Sequence, residues 1–325
     1  MNLGLTGRLP VAWFGTFLVA IALWCVPSSS AITAPEGWEE IHEAGVVLRF
    51  RSPDRAGARV LLPALSSGVR DVAGRLGSGK IEVTVYLAAS EADFRTLSGG
   101  RIPHWGAGCA FPAEGTILLK RLPGRQDELL QTARHELAHI VLHQRTGGRV
   151  PVWFSEGVSM WIAREWRLGD SAEVFAAVIG GGLVPLSEID GVLGFASSRA
   201  QLAYTESLLA LVYLIGLGGP DSVRDLVDLV AANVPFDVAL HRLTGLTPTA
   251  FEAAWSEHVI QRYSLVGMLT SSQMLWFYMA ALMLLAVVVV RLRNRSRVRG
   301  WEEEEALSAL PPRLRLQVRR REDRS

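Results

Sequence analysis

The stretch "RHELAHIVLH", Arg134 to His143, limits the possible folds of this chain more than any other. It holds three of the seven histidines found in 325 residues. His135-Glu136-Leu137-Ala138-His139 is an H-E-x-x-H pattern. On a helix, residues four apart share a face, so both imidazoles can converge on one ion. Neutral imidazole suits zinc, and zinc lowers the pKa of a bound water enough for a nearby carboxylate to take its proton. Glu136 is that carboxylate. The surrounding "DELLQTARHELAHIVLHQRTGG" reads as one amphipathic helix, with Leu130, Ala133, Leu137, Ile140 and Val141 on its apolar side and Gly147-Gly148 at its end. Polar side chains on a buried helix need compensation, and a metal supplies it.

A catalytic zinc takes three protein ligands and keeps one position open. His143 continues the i, i+4, i+8 series but lies about 12 Å of helix rise from His135, too far to share an ion. It suits a cap or cation at the helix C-terminus instead. A continuation H-E-x-x-H-x-x-G-x-x-H also fails, because position 142 is Leu and position 145 is Arg. Glu156, in "VPVWFSEGVSMWIA", is the better third ligand. It follows His139 after the helix break "RTGGRVP", and Trp153, Phe154 and Trp161 surround it. A bare carboxylate in that setting is costly, and a metal offsets the cost. The competing placement is an exposed acid at a helix N-terminus.

Both ends of the chain are apolar, which accounts for a hydrophobic fraction of 49%. Arg8 precedes an uncharged run from Leu9 to Val26, and Ser29 and Ala31 stand where signal peptidase accepts small residues. Residues 1–31 are therefore expected to be a secretory signal, with an uncleaved anchor as the alternative. Trp24, before Cys25, argues against a lipid-modified cysteine. Leu265 to Val290 carries no charge and is followed by arginines at 291, 293, 295, 297 and 299, the pattern of a single span with a cytoplasmic C-terminus. The tail from Arg291 carries eleven arginines against six acids, and Arg8 stands alone at the front. With the whole chain at +1, residues 32–290 are left at about −5, which excludes a basic nucleic-acid-binding surface. Cleavage of the signal would leave Cys109 as the only cysteine, so an intramolecular disulfide framework is excluded and Cys109 reads as a small core residue.

Between the ends, "VVLRFRS" (46–52), "IEVTVYLA" (81–88), "AGCAF" and "TILLK" read as strands. Helical spacing occupies 58–77 and "EADFRTLS". Beyond Gln126 it dominates, over 126–144, 153–167, 173–178, 201–217, 220–233 and "PTAFEAAWSEHVIQRYS". The expected fold is α+β. A β-rich lobe (32–124) precedes a helical lobe (125–264) carrying the H-E-x-x-H helix, followed by a transmembrane helix (265–290) and an arginine-rich cytoplasmic tail (291–325).

"HELAHIVL" followed by "VPVWFSEGVSMWIA" resembles the gluzincin zinc metallopeptidases, in particular the bacterial peptidase MA-like domains. The resemblance runs from about residue 40 to 264, through "HWGAGCAFPAEGTILLK", "YTESLLALVYL" and "LTPTAFEAAWSEHV". It implies His135, His139 and Glu156 as zinc ligands and Glu136 as general base and proton shuttle. It also implies a bacterial enzyme with a peptide or protein substrate held against the "GAGCAF" strand. The apolar ends, read above, add the expectation that this domain lies outside the cytoplasm and is anchored in the cell membrane. Two departures stand out. Many gluzincins place an Asp four residues after the third ligand, where this chain has Met160. No motif declares an oxyanion donor either. Tyr204 in "AYTESLL" is the candidate, alongside a reading as a core aromatic, and His241 is a weaker one. These gaps leave room for a second function class: a catalytically silent zinc-binding module that assembles with a membrane partner through the span.

Overall fold

The computed structural model describes residues 36–263, apart from 100–106, 122–123, 166–173, 179, 181 and 195–196, together with residues 278–294. The expected signal segment 1–31, the first half of the expected span and the tail beyond 294 lie outside the described residues.

A two-residue turn at Ala44 and Gly45, both at positive φ (48° and 87°), joins β1 (Trp38–Glu43) to β2 (Val46–Arg51) as an antiparallel hairpin. Helix α1 (Arg55–Arg75) then leads to β3 (Val83–Ala88), which lies parallel to β2. After α2 (Glu91–Leu97), β4 (Gly108–Phe111) and β5 (Thr116–Lys120) form a second antiparallel pair, with β5 parallel beside β3. The sheet order is β1-β2-β3-β5-β4, so β4 is an edge strand. Strand alternation sorts the side chains between two faces. Val46, Leu48 and Phe50 with Val83, Val85 and Leu87 join the main core. Tyr86, Ala88, Cys109, Phe111 and Leu118 form a smaller cluster with Phe94 and Leu97 of α2. Cys109 is thus a buried core residue, as its surroundings in the sequence suggested.

The helical part comprises α3 (Gln126–Thr146), α4 (Val152–Ala163), α5 (Ser197–Gly218), α6 (Ser222–Ala231), α7 (Phe236–Thr244) and α8 (Pro248–Tyr263), with a further helical stretch at 174–178. Two elements differ from expectation. Strand β1, "WEEIHE", was not anticipated, because an edge strand tolerates charged residues and loses its clean alternation. Helix α7 is nine residues long and too short for a periodicity to register, although Pro235 before it and Gly245 in the left-handed conformation (φ 74°) after it mark its ends. The lobes expected in succession share one hydrophobic core. Leu137 of α3 meets α1 across Gly68, where a Cβ would lie 3.5 Å from Leu137 Cδ1, and Ala110, Ile117 and Leu119 of β4 and β5 join the same cluster.

Residues up to Tyr263 and from Ser264 onward form separate compact units. Among the described residues, the stretch long and apolar enough to cross a membrane is Arg199–Gly218, at mean hydropathy 1.4. It belongs to α5, and 56% of it is buried, so core packing accounts for its apolarity. Of the second unit, residues 278–294 are helical, with Met279, Leu282, Met283, Leu284 and Leu285 exposed.

Candidate metal centre

Helix α3 carries both core and chemistry. Ala133, Leu137, Ile140 and Val141 are at most 1% exposed, and so is His135, with Glu136 at 0% and His139 at 2%. Gly147, left-handed at φ 63°, ends the helix and donates its N–H to the His143 carbonyl at 2.7 Å. The chain then turns and enters α4 after Pro151. The Asp190 carboxylate accepts from the Val152 N–H at 3.2 Å and so fixes the first turn of α4. One turn on, Gly157 allows α4 to rest on α5: a Cβ there would lie 2.5 Å from the Ser207 carbonyl oxygen. This close crossing buries the neighbouring Glu156 completely.

The geometry brings three of the expected residues to one point. Glu156 Oε2 lies 3.5 Å from His135 Nε2 and 3.5 Å from His139 Nε2. One ligand atom from each of the three side chains lies within 4.8 Å of the other two. Two donors each about 2.0–2.1 Å from a tetrahedral ion stand roughly 3.3–3.5 Å apart, so the spacing fits zinc. Satisfaction points the same way. Both Nε2 atoms and both Glu156 oxygens are buried without a hydrogen-bond partner among the described residues. A native fold rarely leaves four such atoms together unless something else occupies them. The residues present fit a metal.

The opposite ring nitrogens are both engaged, by residues that sequence reasoning missed. Glu165 Oε2 lies 3.1 Å from His135 Nδ1, and Ser155 Oγ lies 2.8 Å from His139 Nδ1. These contacts turn the Nε2 atoms inward. Ser155 immediately precedes Glu156, a signal that was available in "FSEG". Glu165 follows the end of α4, and nothing in its spacing announced it. Met160, at the position where an acid was expected, is buried in the core.

Electrostatics follow from this crowding. Burial would depress the His135 imidazole, but Glu165 and Glu156 outweigh it and push its pKa well up. Burial prevails at His139, which is lowered. Burial would raise Glu156, yet the His139 and His135 imidazoles hold its carboxyl at about 2. Glu136 is pushed well above the ordinary carboxylate range, mainly by burial. Among the described residues neither of its oxygens forms a hydrogen bond of ordinary geometry, and the Ala110 backbone N–H offsets the rise without reversing it. Its side chain lies against β4, where a Cβ on Gly108 would stand 3.2 Å from Glu136 Oε1 and 2.6 Å from Thr132 Cγ2. Only glycine leaves room there for the carboxylate beside the edge strand.

Tyr204, on α5, is 3% exposed, and its phenol is raised first by burial and then by Glu156, Glu136 and Glu165. It therefore lies in the field of the same acids. Two further histidines singled out in the sequence, His143 and His241, stand apart. His241 is exposed on the last turn of α7 and does not join the site. His143 is absent from the ligand cluster, and burial pushes its imidazole pKa down, which disfavours the cationic role expected at the helix end.

A family model described as the Peptidase MA superfamily matches residues 78–261, more than half of the chain. The matched region runs from just before β3 into α8 and includes every residue of the cluster. No curated protein matches the chain.

Proposed function

The chain belongs to the Peptidase MA superfamily, and from that premise we propose that it is a gluzincin-type zinc metallopeptidase acting on peptides or proteins. The observation that carries this reading is the convergence of three buried donors without hydrogen-bond partners among the described residues, His135 Nε2, His139 Nε2 and Glu156 Oε2, next to the buried carboxylate of Glu136. Zinc held by these side chains would polarise a peptide carbonyl and bring the pKa of a water to about 7. The chain's own residues divide the remaining work. Glu136 takes the proton of the attacking water and passes it to the leaving amine. Burial raises its pKa, which favours uptake of a proton from the attacking water. The phenol of Tyr204, raised above the usual tyrosine value, stays protonated and donates to the carbonyl oxygen as negative charge develops there. Edge strand β4, beside Glu136, offers backbone groups with which an extended substrate pairs.

The same reading makes residues 265–290 a single membrane anchor. The catalytic unit then lies on the outer side of a bacterial cell membrane and the arginine-rich tail in the cytoplasm. Exposed apolar side chains along 279–290, followed directly by arginines, support it.

The test uses the full chain in detergent. About one zinc per chain is expected, with cleavage of a peptide library that disappears in Glu136→Gln while zinc is retained. Cleavage that survives Glu136→Gln removes the reading. Zinc without turnover on any peptide transfers support to a silent module that binds a membrane partner.

A further inference from the structure

The turn that follows α4 is built to return a carboxylate to the metal site. Arg164 is left-handed at φ 57°, a conformation that costs a non-glycine residue energy. That twist folds the chain back on itself. The Glu165 N–H donates to the Met160 carbonyl at 3.0 Å and the Arg164 N–H to the Trp161 carbonyl at 3.3 Å. The side chain of Glu165 then reaches His135 Nδ1. A second element grips the same turn from outside. Gln131, on α3 one turn before His135, donates its Nε2 to the carbonyls of Ala163 at 3.2 Å and Arg164 at 3.4 Å. Residues 131 and 135 share a helix face. The helix that carries His135 therefore also holds the turn that carries the partner of His135.

We propose that Glu165 is the positioning carboxylate of the metal site and that Gln131 acts through it, by clamping the turn at Ala163–Arg164. This rests on the metal-binding reading of His135, His139 and Glu156 and adds to it the residues that fix one ligand's orientation. It also accounts for Met160. The acid expected at that position is unnecessary, because an acid five residues later, turned back by Arg164, takes its place. The two ligating imidazoles consequently have unlike supports, a carboxyl group behind His135 and a hydroxyl behind His139.

The test is a double-mutant cycle on zinc affinity, read by competition with a chromophoric chelator on the full chain in detergent. Metal-free thermal melts establish that each variant is folded at the assay temperature. Glu165→Gln is expected to lower zinc affinity by about ten- to a hundredfold, the usual cost of losing such a partner. Gln131→Ala should lower it several-fold in the wild-type background and change it less than about twofold in the Glu165→Gln background, because its effect passes through the residue already altered. Equal losses in both backgrounds overturn the coupling. Unchanged affinity in Glu165→Gln overturns the positioning role and leaves the zinc site standing. Protein that binds zinc, responds to Glu165→Gln and cleaves nothing sustains the inference while removing the peptidase reading. A wild-type chain that binds no zinc overturns both.

Discussion

Two glycines in helices should respond in opposite directions to the same added methyl group. In α1, a Cβ on Gly74 meets nothing within 4 Å. Gly74→Ala should therefore stabilise by about 0.5–1 kcal/mol, through the reduced freedom of the unfolded chain. In α4, the Cβ of Gly157→Ala would fall 2.5 Å from the Ser207 carbonyl oxygen and 3.1 Å from Leu211 Cβ. An ordinary carbon–oxygen contact is about 3.3 Å or more, so a gap of roughly 0.8 Å must open. The obstructing atom is backbone inside α5 and cannot swing aside as a rotamer would. Overpacking of this kind costs about 1–3 kcal/mol, against an intrinsic gain of about 1 kcal/mol for alanine over glycine in a helix. The net expectation is a loss of up to about 2 kcal/mol, or a Tm lower by up to roughly 4–8 °C for a domain of this size. A displacement of α4 also moves Glu156, the adjacent residue, so zinc affinity should fall in Gly157→Ala and stay unchanged in Gly74→Ala. Thermal melts and chelator competition on both variants test this. A Gly157→Ala protein as stable as Gly74→Ala, with unaltered zinc affinity, would refute the close crossing of α4 and α5.

Three further outcomes follow from the same geometry. Glu206 is fully buried on α5, accepts from the Val184 N–H, and has a carboxyl raised by burial to about 8. A carboxyl raised in the folded state stabilises below its unfolded pKa and loses that contribution as pH rises toward 8. Glu206→Gln should therefore match wild type in Tm near pH 4.5 and exceed it increasingly up to pH 8.5, by a few kcal/mol at most; a pH-independent difference would contradict it. Tyr204→Phe should reduce kcat by about ten- to a hundredfold with little change in KM, as expected for a donor that acts only in the transition state; unaltered kcat would leave Tyr204 as a core aromatic. Stripping the metal with a chelator should lower Tm, because zinc at a thousandfold its Kd contributes about 4 kcal/mol to the folded state; a melting curve indifferent to chelator would argue that the cluster binds nothing.

The parts of this molecule readable from sequence are those set by local periodicity. The H-E-x-x-H pattern placed three polar residues on a helix whose apolar stripe was equally plain, and the helix ends at Gly147 as its sequence indicates. Glu156 was readable because a carboxylate amid Trp153, Phe154 and Trp161 needs a reason. Glu165 was not, because its role depends on a left-handed Arg164, a conformation that arginine does not advertise. The edge position of β4 depends on pairing between β3 and β5, whose partners such as Thr84 and Thr116 are 32 positions apart in sequence, which spacing alone does not encode. Residues 199–218 are long and apolar enough to suggest a membrane span, and only their packing, 56% buried, identifies them as a core helix.

Helix α4 shows how the site obtains its precision. Twelve residues are too few to hold a helix in water by themselves, and a metal ligand that strays by an ångström loses most of its value. Tertiary contacts remove that freedom at three points. Asp190 holds the first turn through the Val152 N–H, Gly157 seats the middle against Ser207, and Gln131 clamps the last turn at Ala163 and Arg164. Two of these contacts bracket Glu156 and the third carries Glu165, so the restraints that stabilise the helix also orient the ligand set. The buried imidazoles and carboxylates would be costly in any loosely packed arrangement. Here α3 and α4 hold them in one fixed arrangement, with the Nε2 atoms and the Glu156 carboxylate facing one another as the proposed metal site requires.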